Sequence, residues 1–452
     1  MIRSEMLGTE KVRKLIFNLG WPAALNFLVL TIFNITDIVF AGHFLGSMSI
    51  AAVVIGGTAI FLFSSFGLAV GIGGASIISR ALGEKDAKKA GQVFGNQVML
   101  TLVFGLFIVL AGLIFEDAVL KQLGAYGDIF LPARAYYRII LLGVPFLSLV
   151  MMGNNVIQAE GKAKVVMVNS LIPIVVNIVL NPLLIKGFNM GIEGAAWATM
   201  IGFITGFLLI VRFFSGKASE VRLNYREFKP DRKLAREILV IGGSVVINAV
   251  ATNIFIVFLN KVLFKYQQES GVVIYSIISR IGMLFLIPIL GIDGGVRPII
   301  GYNYGNGQMD RVRVAVQAAI KYGLTASYIL LGGMFLCANY LVRLFTTDPH
   351  VIAATPYAMK VVFSFFPLFV VEIITVAYFQ AIGKPAISFF LTLLRYIILQ
   401  IPLLMLLPYF WGYEGVLYAF PTLDILTTLA AFWLLRNELI VKLPQRAAAN
   451  FR

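Results

Sequence analysis

Long apolar runs recur along the whole sequence, and they constrain the fold more than any other feature. Each run has roughly the 20 residues that a helix needs to cross the ~30 Å hydrocarbon core of a bilayer. Only 13% of the residues are charged, whereas soluble proteins have about a quarter. We predict an all-α integral membrane protein with twelve transmembrane helices, numbered 1 to 12 in chain order, at 15–41, 48–72, 92–115, 132–157, 164–186, 191–214, 236–263, 272–296, 313–337, 352–380, 385–409 and 413–436.

Basic residues are distributed unevenly between the segments that join these helices. A net charge of +15 would indicate nucleic acid as a partner of a soluble chain. Beside membrane helices, Lys and Arg instead report topology, because cytoplasmic loops are enriched in them. With the N-terminus inside, the inner segments carry 25 of these residues and the outer loops five, or seven with Arg134 and Arg138. We therefore expect a multi-pass protein of the cytoplasmic membrane, with both termini in the cytoplasm and no nucleic-acid partner.

The two halves of the sequence repeat one another at a spacing of 222 residues. NVIQAEGKAK is echoed by AYFQAIGKPA, which aligns Gln158 with Gln380 and Gly161 with Gly383. GASIISRALGEKDAKKA is echoed by GVRPIIGYNYGNGQMDR at the same spacing, and GIEGAAWAT by GYEGVLYAF at 221. Six helices per half is an even number, so both halves cross the membrane in the same sense, as the parallel repeats of transporters do. We predict an N-terminal lobe at 1–214, a basic cytoplasmic linker at 215–235 and a C-terminal lobe at 236–452.

An aspartate, Asp37, lies inside the first apolar run, in the stretch NITDIVFAG. An ionised Asp near the bilayer centre costs about 3 kcal/mol on insertion scales, so an intramembrane acid is by default a functional-site hypothesis. Because loss of hydration disfavours the charged form, such an acid is poised to bind and release a proton. The repeat places Leu259 at the corresponding position of helix 7, so packing alone does not explain the acid. The alternative is an Asp held by a neighbouring side chain that never changes its protonation.

Amide side chains accompany this acid in helices 1 and 5. Asn34 lies one turn before Asp37. Asn177 and Asn181 share a face of helix 5, since helix positions three or four apart are neighbours. If these faces converge, their oxygens can hydrogen-bond a protonated acid or surround Na⁺, a hard cation that oxygen ligands suit. The alternative is polar contact between helices, worth about 0.6 kcal/mol per contact on average.

The full-length pattern resembles the multidrug and toxic compound extrusion (MATE) family. The features that carry the resemblance are the twelve helices in two parallel halves, the lone acid in helix 1, QAEGKAK after helix 4 and PIIGYNYGNG after helix 8. The sequence is most similar to the bacterial and archaeal branch related to the DNA-damage-inducible transporter. The resemblance implies two six-helix lobes arranged in a V. It also implies a secondary antiporter that uses alternating access to export organic cations and other amphipathic compounds against H⁺ or Na⁺ entry.

The resemblance assigns roles to individual residues of the first half. Asp37 matches the functional acid of helix 1, Asn177 an asparagine of helix 5, and Thr199 a hydroxyl of helix 6. Asn181 stands where relatives carry an acid. This departure weakens the case for a Na⁺ or H⁺ site with two carboxylates, although Asp37, Asn177, Asn181 and Thr199 remain the candidate ligands for Na⁺. We therefore prefer H⁺ as the coupling ion, with Na⁺ as the alternative, and expect no cofactor.

Four further side chains are candidates for the substrate cavity. Phe33 and Phe40 flank the acid of helix 1, and aromatic faces attract organic cations. Arg280, in helix 8, either faces the cavity or pairs with an acid such as Asp293, although 13 residues on one helix is far for direct contact. Glu372 lies in helix 10, where a different branch of the family uses an acid. That branch also uses an acid in helix 7, which is missing here.

Two other functional classes compete with a monomeric exporter. A flippase for lipid-linked saccharides or lipids belongs to the same superfamily, but such proteins often have several cationic cavity residues, whereas this sequence offers chiefly Arg280. An intramembrane enzyme would need clustered His, Asp or metal ligands, and His43 and His350 are isolated. Asp424, like Glu372, is an acid of the second half that packing alone can explain. The glycine-rich run GLAVGIGGASIISRALGEK lacks the GK[ST] of a phosphate loop, so close helix packing explains it better.

Overall fold

The protein is described by a computed structural model that covers residues 4–221 and 229–443, apart from the side chains of Phe33, Asn34, Ile35, Asp37, Ile38, Ser47, Val441 and Lys442. Every regular element within these residues is a helix. The α-helices are α1 (Glu5–Thr9), α2 (Val12–Leu45), α3 (Ser47–Gly83), α4 (Ala87–Ile114), α5 (Glu116–Gln122), α6 (Phe130–Leu141), α7 (Val144–Ala159), α8 (Ala163–Pro182), α9 (Gly191–Ser215), α10 (Arg232–Gly305), α11 (Met309–Arg343), α12 (Pro349–Phe363), α13 (Phe369–Ala381), α14 (Pro385–Leu393) and α15 (Gln400–Asn437). Turns of 3₁₀ helix lie at Gly127–Ile129 and Phe366–Leu368, and π-helical turns at Leu183–Gly187, Leu394–Leu399 and Glu438–Lys442.

Nine helical stretches in the described part of the chain are long and apolar enough to cross a membrane, and a bent pair adds a tenth. The pair, Gly127–Leu141 and Val144–Ala159, meets at 51° and forms helix 4. Two of the nine stretches contain a non-helical residue, Gln268 in α10 and Gly412 in α15, and each therefore holds two spans. Counting each of these twice gives twelve membrane helices. The predicted all-α membrane class and helix number are confirmed.

The helices extend beyond the predicted spans where glycine-rich segments follow an apolar run. Helix 2, predicted at 48–72, continues as α3 to Gly83. Glycine does not end the helix here, and its missing Cβ lets a neighbouring backbone approach closely. A Cβ on Gly73 would lie 2.1 Å from the Ile238 carbonyl oxygen. The glycine-rich run is therefore a helix-packing surface, as the sequence indicates.

Left-handed backbone positions recur at the spacing of the sequence repeat. A positive φ is uncommon outside glycine, so its recurrence reports a shared turn geometry. Four pairs are separated by 222 or 221 residues, namely Gly46 and Gln268, Lys85 and Gly307, Gly161 and Gly383, and Gly191 and Gly412. All of them lie at ends or breaks of membrane helices. The chain therefore turns in the same way in both halves, which confirms the repeat.

The chain forms two compact units. The first unit comprises Met1–Glu5 and Leu25–Gly243, and the second comprises Met6–Ala24 and Ser244–Arg452. The start of helix 1 therefore belongs with the second half of the sequence, and the start of helix 7 belongs with the first. The predicted lobes, 1–214 and 236–452, differ from these units, because they assign the start of helix 1 to the first half and the start of helix 7 to the second.

Close helix crossings hold the two exchanged segments in their units. In the second unit, a Cβ on Gly20 would lie 3.2 Å from the Gly291 carbonyl oxygen. In the first unit, a Cβ on Gly242 would lie 2.2 Å from the Ala69 carbonyl oxygen. Gly20 and Gly242 correspond in the repeat, as do Ala69 and Gly291. The same helix crossing therefore occurs once in each unit, and glycine is required where the two backbones are in contact.

Polar side chains also bind the chain ahead of each exchanged helix. In the second unit, Arg311 Nη2 donates to the Leu7 and Glu10 carbonyl oxygens at 3.0 and 2.6 Å. In the first unit, Asn96 Oδ1 accepts a hydrogen bond from the Asp231 amide at 2.9 Å. Each segment is thus attached before its membrane helix begins.

A buried lysine–glutamate pair lies at the repeated QAEGKAK and QAIGKPA turns. Lys162 pairs with Glu160, which also accepts a hydrogen bond from the Val221 amide at 3.1 Å. Lys384, which corresponds to Lys162, pairs with Glu438. The two motifs therefore anchor the chain that follows the last helix of each half.

Candidate functional site

Helices 5 and 6 bring three of the predicted site residues together in the first unit. Asn177 and Asn181 lie one turn apart on α8, and Thr199 lies on α9. The exposed fractions of these residues are 0%, 0% and 4%. Asn181 Nδ2 donates to Asn177 Oδ1 at 3.0 Å, and Asn177 Nδ2 donates to Thr199 Oγ1 at 3.2 Å. The convergence of helix 5 amides with the helix 6 hydroxyl is therefore present.

This amide network depends on a close approach of helices 5 and 6. A Cβ on Gly202 would lie 3.2 Å from the Pro173 carbonyl oxygen. The Thr199 hydroxyl in turn donates to the Ala195 carbonyl oxygen at 3.1 Å. Donors therefore point in one direction, from Asn181 through Asn177 and Thr199 to the backbone. Because hydrogen bonds in such a chain polarise one another, the network holds its amide dipoles in a defined orientation inside an apolar unit.

The helix 1 candidates lie on α2, but the side chains of Asp37, Asn34 and Phe33 are outside the described residues. Phe40 is half-buried and stacks on Phe44, with ring centroids 5.8 Å apart. Both rings pack against the apolar core of the first unit. Phe40 thus contributes to packing, and its role in a substrate cavity stays a prediction.

A buried ionic cluster occupies helices 10, 11 and 12 of the second unit. Arg395 Nη1 donates to Glu372 Oε2 at 2.8 Å, and Arg395 Nη2 donates to Asp424 Oδ1 at 2.7 Å. Arg395, Glu372 and Asp424 are 8%, 4% and 3% exposed. The guanidinium also donates to Thr427 at 3.2 Å and lies over the Phe369 ring, 4.0 Å from its centroid. Glu372, a predicted cavity residue, is thus a buried carboxylate paired with arginine.

Arg280 lies on the surface of the second unit, where its side chain is exposed. The acid suggested as its partner, Asp293, instead accepts two hydrogen bonds from Arg297 Nε, each at 3.0 Å. The suggested Arg280–Asp293 pair is therefore wrong. Thirteen residues of helix span about 20 Å, whereas Arg297 is one turn away. A cavity role for Arg280 stays a prediction.

Arg395, the central member of the ionic cluster, is a candidate functional residue that was not predicted from the sequence. Arg395 is the single charged residue in the apolar run PAISFFLTLLRYIILQIPLLMLL, which is a usable signal, because intramembrane charges pair with one another. Its partners were harder to predict from the sequence, since Glu372 and Asp424 lie 23 and 29 residues away on other helices.

Twelve membrane helices in two repeated halves, with buried polar and ionic clusters, define a multi-pass membrane protein of the transporter class. The sequence model of the MatE family matches residues 22–183 and 242–406, one segment in each half. The chain belongs to the MatE family of membrane transporters.

Relatives and solved structures match the chain over nearly its full length. The multidrug export protein MepA of Staphylococcus aureus (strain NCTC 8325 / PS 47) is 27% identical over 433 residues, which is 95% of this chain and 95% of that protein. A MATE protein crystallised in the bent conformation matches with a TM-score of 0.93 and 26% identity, covering 99% of both chains. A MOP superfamily transporter of Pyrococcus furiosus, described by the reverse polarity of its binding pocket, matches with a TM-score of 0.90 and 26% identity, covering 97% of this chain and 98% of that one. The MATE resemblance is thus confirmed.

Proposed function

We propose that the protein is a secondary active exporter of amphipathic, often cationic, organic compounds. The relative named as a multidrug export protein shares almost the full length of the chain, which supports export as the function. The observation that carries the proposal is the buried network of Asn177, Asn181 and Thr199. Its counterparts in the repeat are Leu399, Leu403 and Phe420, all apolar. Since the second half folds without these amides, the network serves more than packing.

Coupling runs through Asp37 and this network. Protonation of Asp37 from the outside neutralises its carboxylate, rearranges the first unit and releases substrate outward. Loss of the proton to the cytoplasm restores the state that takes up substrate. Such a cycle requires that the ion bind one conformation more tightly than the other. H⁺ is favoured over Na⁺ because the helix 5 and helix 6 members, Asn177, Asn181 and Thr199, are neutral and supply no second carboxylate.

The proposal includes the arrangement of the chain in the membrane. Both termini lie in the cytoplasm, and the protein acts as a monomer in the cytoplasmic membrane without a cofactor. The excess of Lys and Arg in alternate connecting segments supports this topology.

A lipid or lipid-linked saccharide flippase is the second candidate. The exposed guanidinium of Arg280 favours it, because a cationic side chain can bind a phosphate or pyrophosphate headgroup. The Pyrococcus furiosus relative, whose pocket is described as reversed in polarity, supports the idea that this fold serves more than one substrate class.

Gradient-driven efflux of ethidium from membrane vesicles tests the exporter proposal. Wild type, Asp37→Asn and the control Asp310→Asn, an exposed acid at the start of α11, are compared under imposed pH or Na⁺ gradients. We expect efflux by wild type and Asp310→Asn and at least a tenfold lower rate for Asp37→Asn. The gradient that drives efflux names the coupling ion.

The other outcomes separate the alternatives. Equal efflux by folded Asp37→Asn and wild type would remove the coupling role from Asp37. Wild type that transports no organic cation under either gradient would favour the flippase.

A further inference from the structure

The ionic cluster of the second unit contains one more acid than base. Glu372 and Asp424 both bind the guanidinium of Arg395, so three ionised side chains would carry a net charge of −1. Among the residues that the structure describes, Arg395 is the one basic side chain paired with these carboxylates. The other titratable side chains near the guanidinium, Tyr275 and Tyr396, add no positive charge.

The burial of the cluster makes this excess charge costly. All three members are at most 8% exposed, and they lie within helices that span the membrane. Taking an ion out of water costs several kcal/mol in real proteins, and a buried charge without a compensating partner is strongly destabilising. The cluster is electrically neutral only when it holds one additional positive charge.

The first half of the chain shows that the fold does not require ions at this place. Glu372 and Arg395 correspond in the repeat to Val150 and Pro173. These two residues pack together on Gly206, whose Cβ would meet Val150 Cγ2 at 3.2 Å and Pro173 Cγ at 3.3 Å. The corresponding site of the first unit is thus apolar and close-packed. The ions of the second unit are an addition to a fold that is complete without them.

The local backbone of Arg395 is also irregular. Arg395 lies in the π-helical turn Leu394–Leu399, between α14 and α15. Single π-helical turns inside α-helices occur frequently at functional sites. The turn therefore supports a role for Arg395 beyond filling space.

We propose that the cluster of Glu372, Arg395 and Asp424 is a second protonation site, which holds one proton shared between the two carboxylates. One carboxylate becomes a neutral acid, the other remains ionised against Arg395, and the cluster is then neutral. The site is separate from Asp37, and it stands whether or not Asp37 couples transport. The guanidinium bridges the two carboxylates, so the proton is carried by one acid at a time while the other stays paired with Arg395.

Infrared spectroscopy of the purified protein tests the proposal through the carbonyl band of a protonated carboxylic acid. At neutral pH the wild type should show this band. Glu372→Gln and Asp424→Asn should each abolish the contribution of the cluster, because each leaves one carboxylate balanced by Arg395. These substitutions preserve shape and remove excess charge, so both variants should fold.

Two control variants assign the band. Asp293→Asn removes an acid that is already balanced one to one by Arg297, so the band should be unchanged. Asp37→Asn removes only the contribution of Asp37, so failure of the coupling proposal and failure of this one are distinguishable. In Asp37→Asn at neutral pH, the band of the cluster should remain. A cluster band that persists in both Glu372→Gln and Asp424→Asn, or its absence from Asp37→Asn, would overturn the proposal.

Thermal unfolding against pH is an independent measurement. The folded protein would hold one proton that the unfolded chain, with both carboxylates ionised, does not hold at neutral pH. Stability therefore falls as pH rises, by about tenfold in the folded-to-unfolded ratio per pH unit while the extra proton is bound. Glu372→Gln should lack this component, and equal pH dependence in the two proteins would contradict the shared proton.

Discussion

At the scale of single residues, the amides of helix 5 carry the proposed coupling function with little exposure to solvent. Asn181 donates to both oxygens of Asn177, the backbone carbonyl at 3.1 Å and Oδ1 at 3.0 Å. A buried acceptor that loses its donor keeps its full desolvation cost. The two amides are therefore energetically linked, and a change at one should be felt at the other.

Substitution of Asn181 by leucine, the residue at the corresponding place in the second half, should damage both stability and transport. We expect a loss of about 1–3 kcal/mol, because the Asn177 side-chain oxygen loses its donor, and efflux at least tenfold lower. Val179→Leu, on an exposed position of the same helix, is the control. Thermal unfolding and ethidium efflux measure the two effects, and a stable, fully active Asn181→Leu would remove the network from the mechanism.

Two arginines of the second unit, Arg395 and Arg280, should respond very differently to replacement. Arg395→Leu leaves Glu372 and Asp424 buried without a countercharge, which costs about 3–5 kcal/mol when a buried pair is broken. Arg280→Leu changes an exposed side chain and should alter stability by less than about 0.5 kcal/mol. Thermal unfolding in detergent compares them, and equal losses for the two variants would contradict the buried cluster.

Single site residues were easier to predict from the sequence than the partners that they contact. The amides of α8 were predictable because positions four apart share a helix face, and the same rule would have paired Asp293 with Arg297. The Arg395 cluster was out of reach because its members come from three helices whose packing no local rule gives. A charged residue in an apolar run indicates a candidate site, but the tertiary structure determines which residue pairs with it.

At the scale of helices, close crossings explain where glycine is required. The sequence predicted the number of helices, since apolar length sets it, but it ended helix 2 too early at residue 72. The predicted span ended with the apolar run, whereas the glycine-rich segment after it stays helical to Gly83 and packs through Gly73 against Ile238. Helix ends thus depend on neighbours that the local sequence does not identify.

Adjacent glycines in helix 7 offer a matched test of this packing. Gly242→Ala places a Cβ 2.2 Å from the Ala69 carbonyl oxygen, and such overpacking typically costs about 1–3 kcal/mol. Gly243→Ala meets nothing within 4 Å and should be neutral, or stabilising by up to about 1 kcal/mol through helix propensity. The yield of folded protein and its thermal midpoint measure both, and equal behaviour of the two variants would refute the crossing.

At the scale of the whole molecule, the repeat unites the fold and the proposed site. Four pairs of positive-φ positions recur at a spacing of 222 or 221 residues, so the halves share a backbone plan. The polar residues of the two proposed sites do not recur, since the amides of α8 have apolar counterparts in helix 11 and the acids near Arg395 have apolar counterparts in the first half. Each unit thus has its own polar site on a common scaffold, and the sequence repeat alone was enough to compare them.

The proposed topology can be read from cysteine labelling. Cys337 is the single cysteine, so Cys337→Ser gives a background without thiols. A cysteine introduced at Lys88, an exposed residue of α4, should react only with reagents in the cytoplasm, and one at Tyr126 only with reagents outside. Labelling of intact cells and inverted vesicles with a membrane-impermeant maleimide distinguishes the two sides. The reversed pattern would contradict cytoplasmic termini.

Reciprocal ion movement tests the central claim, that substrate export is exchanged for ion entry, most directly. Proteoliposomes that contain wild type and a trapped pH-sensitive dye receive an ethidium gradient, with no pH or Na⁺ gradient imposed. The account predicts that ethidium moving down its gradient drives protons the opposite way, and that Asp37→Asn abolishes this movement. Ethidium transport by wild type with neither proton nor Na⁺ counterflow would contradict antiport.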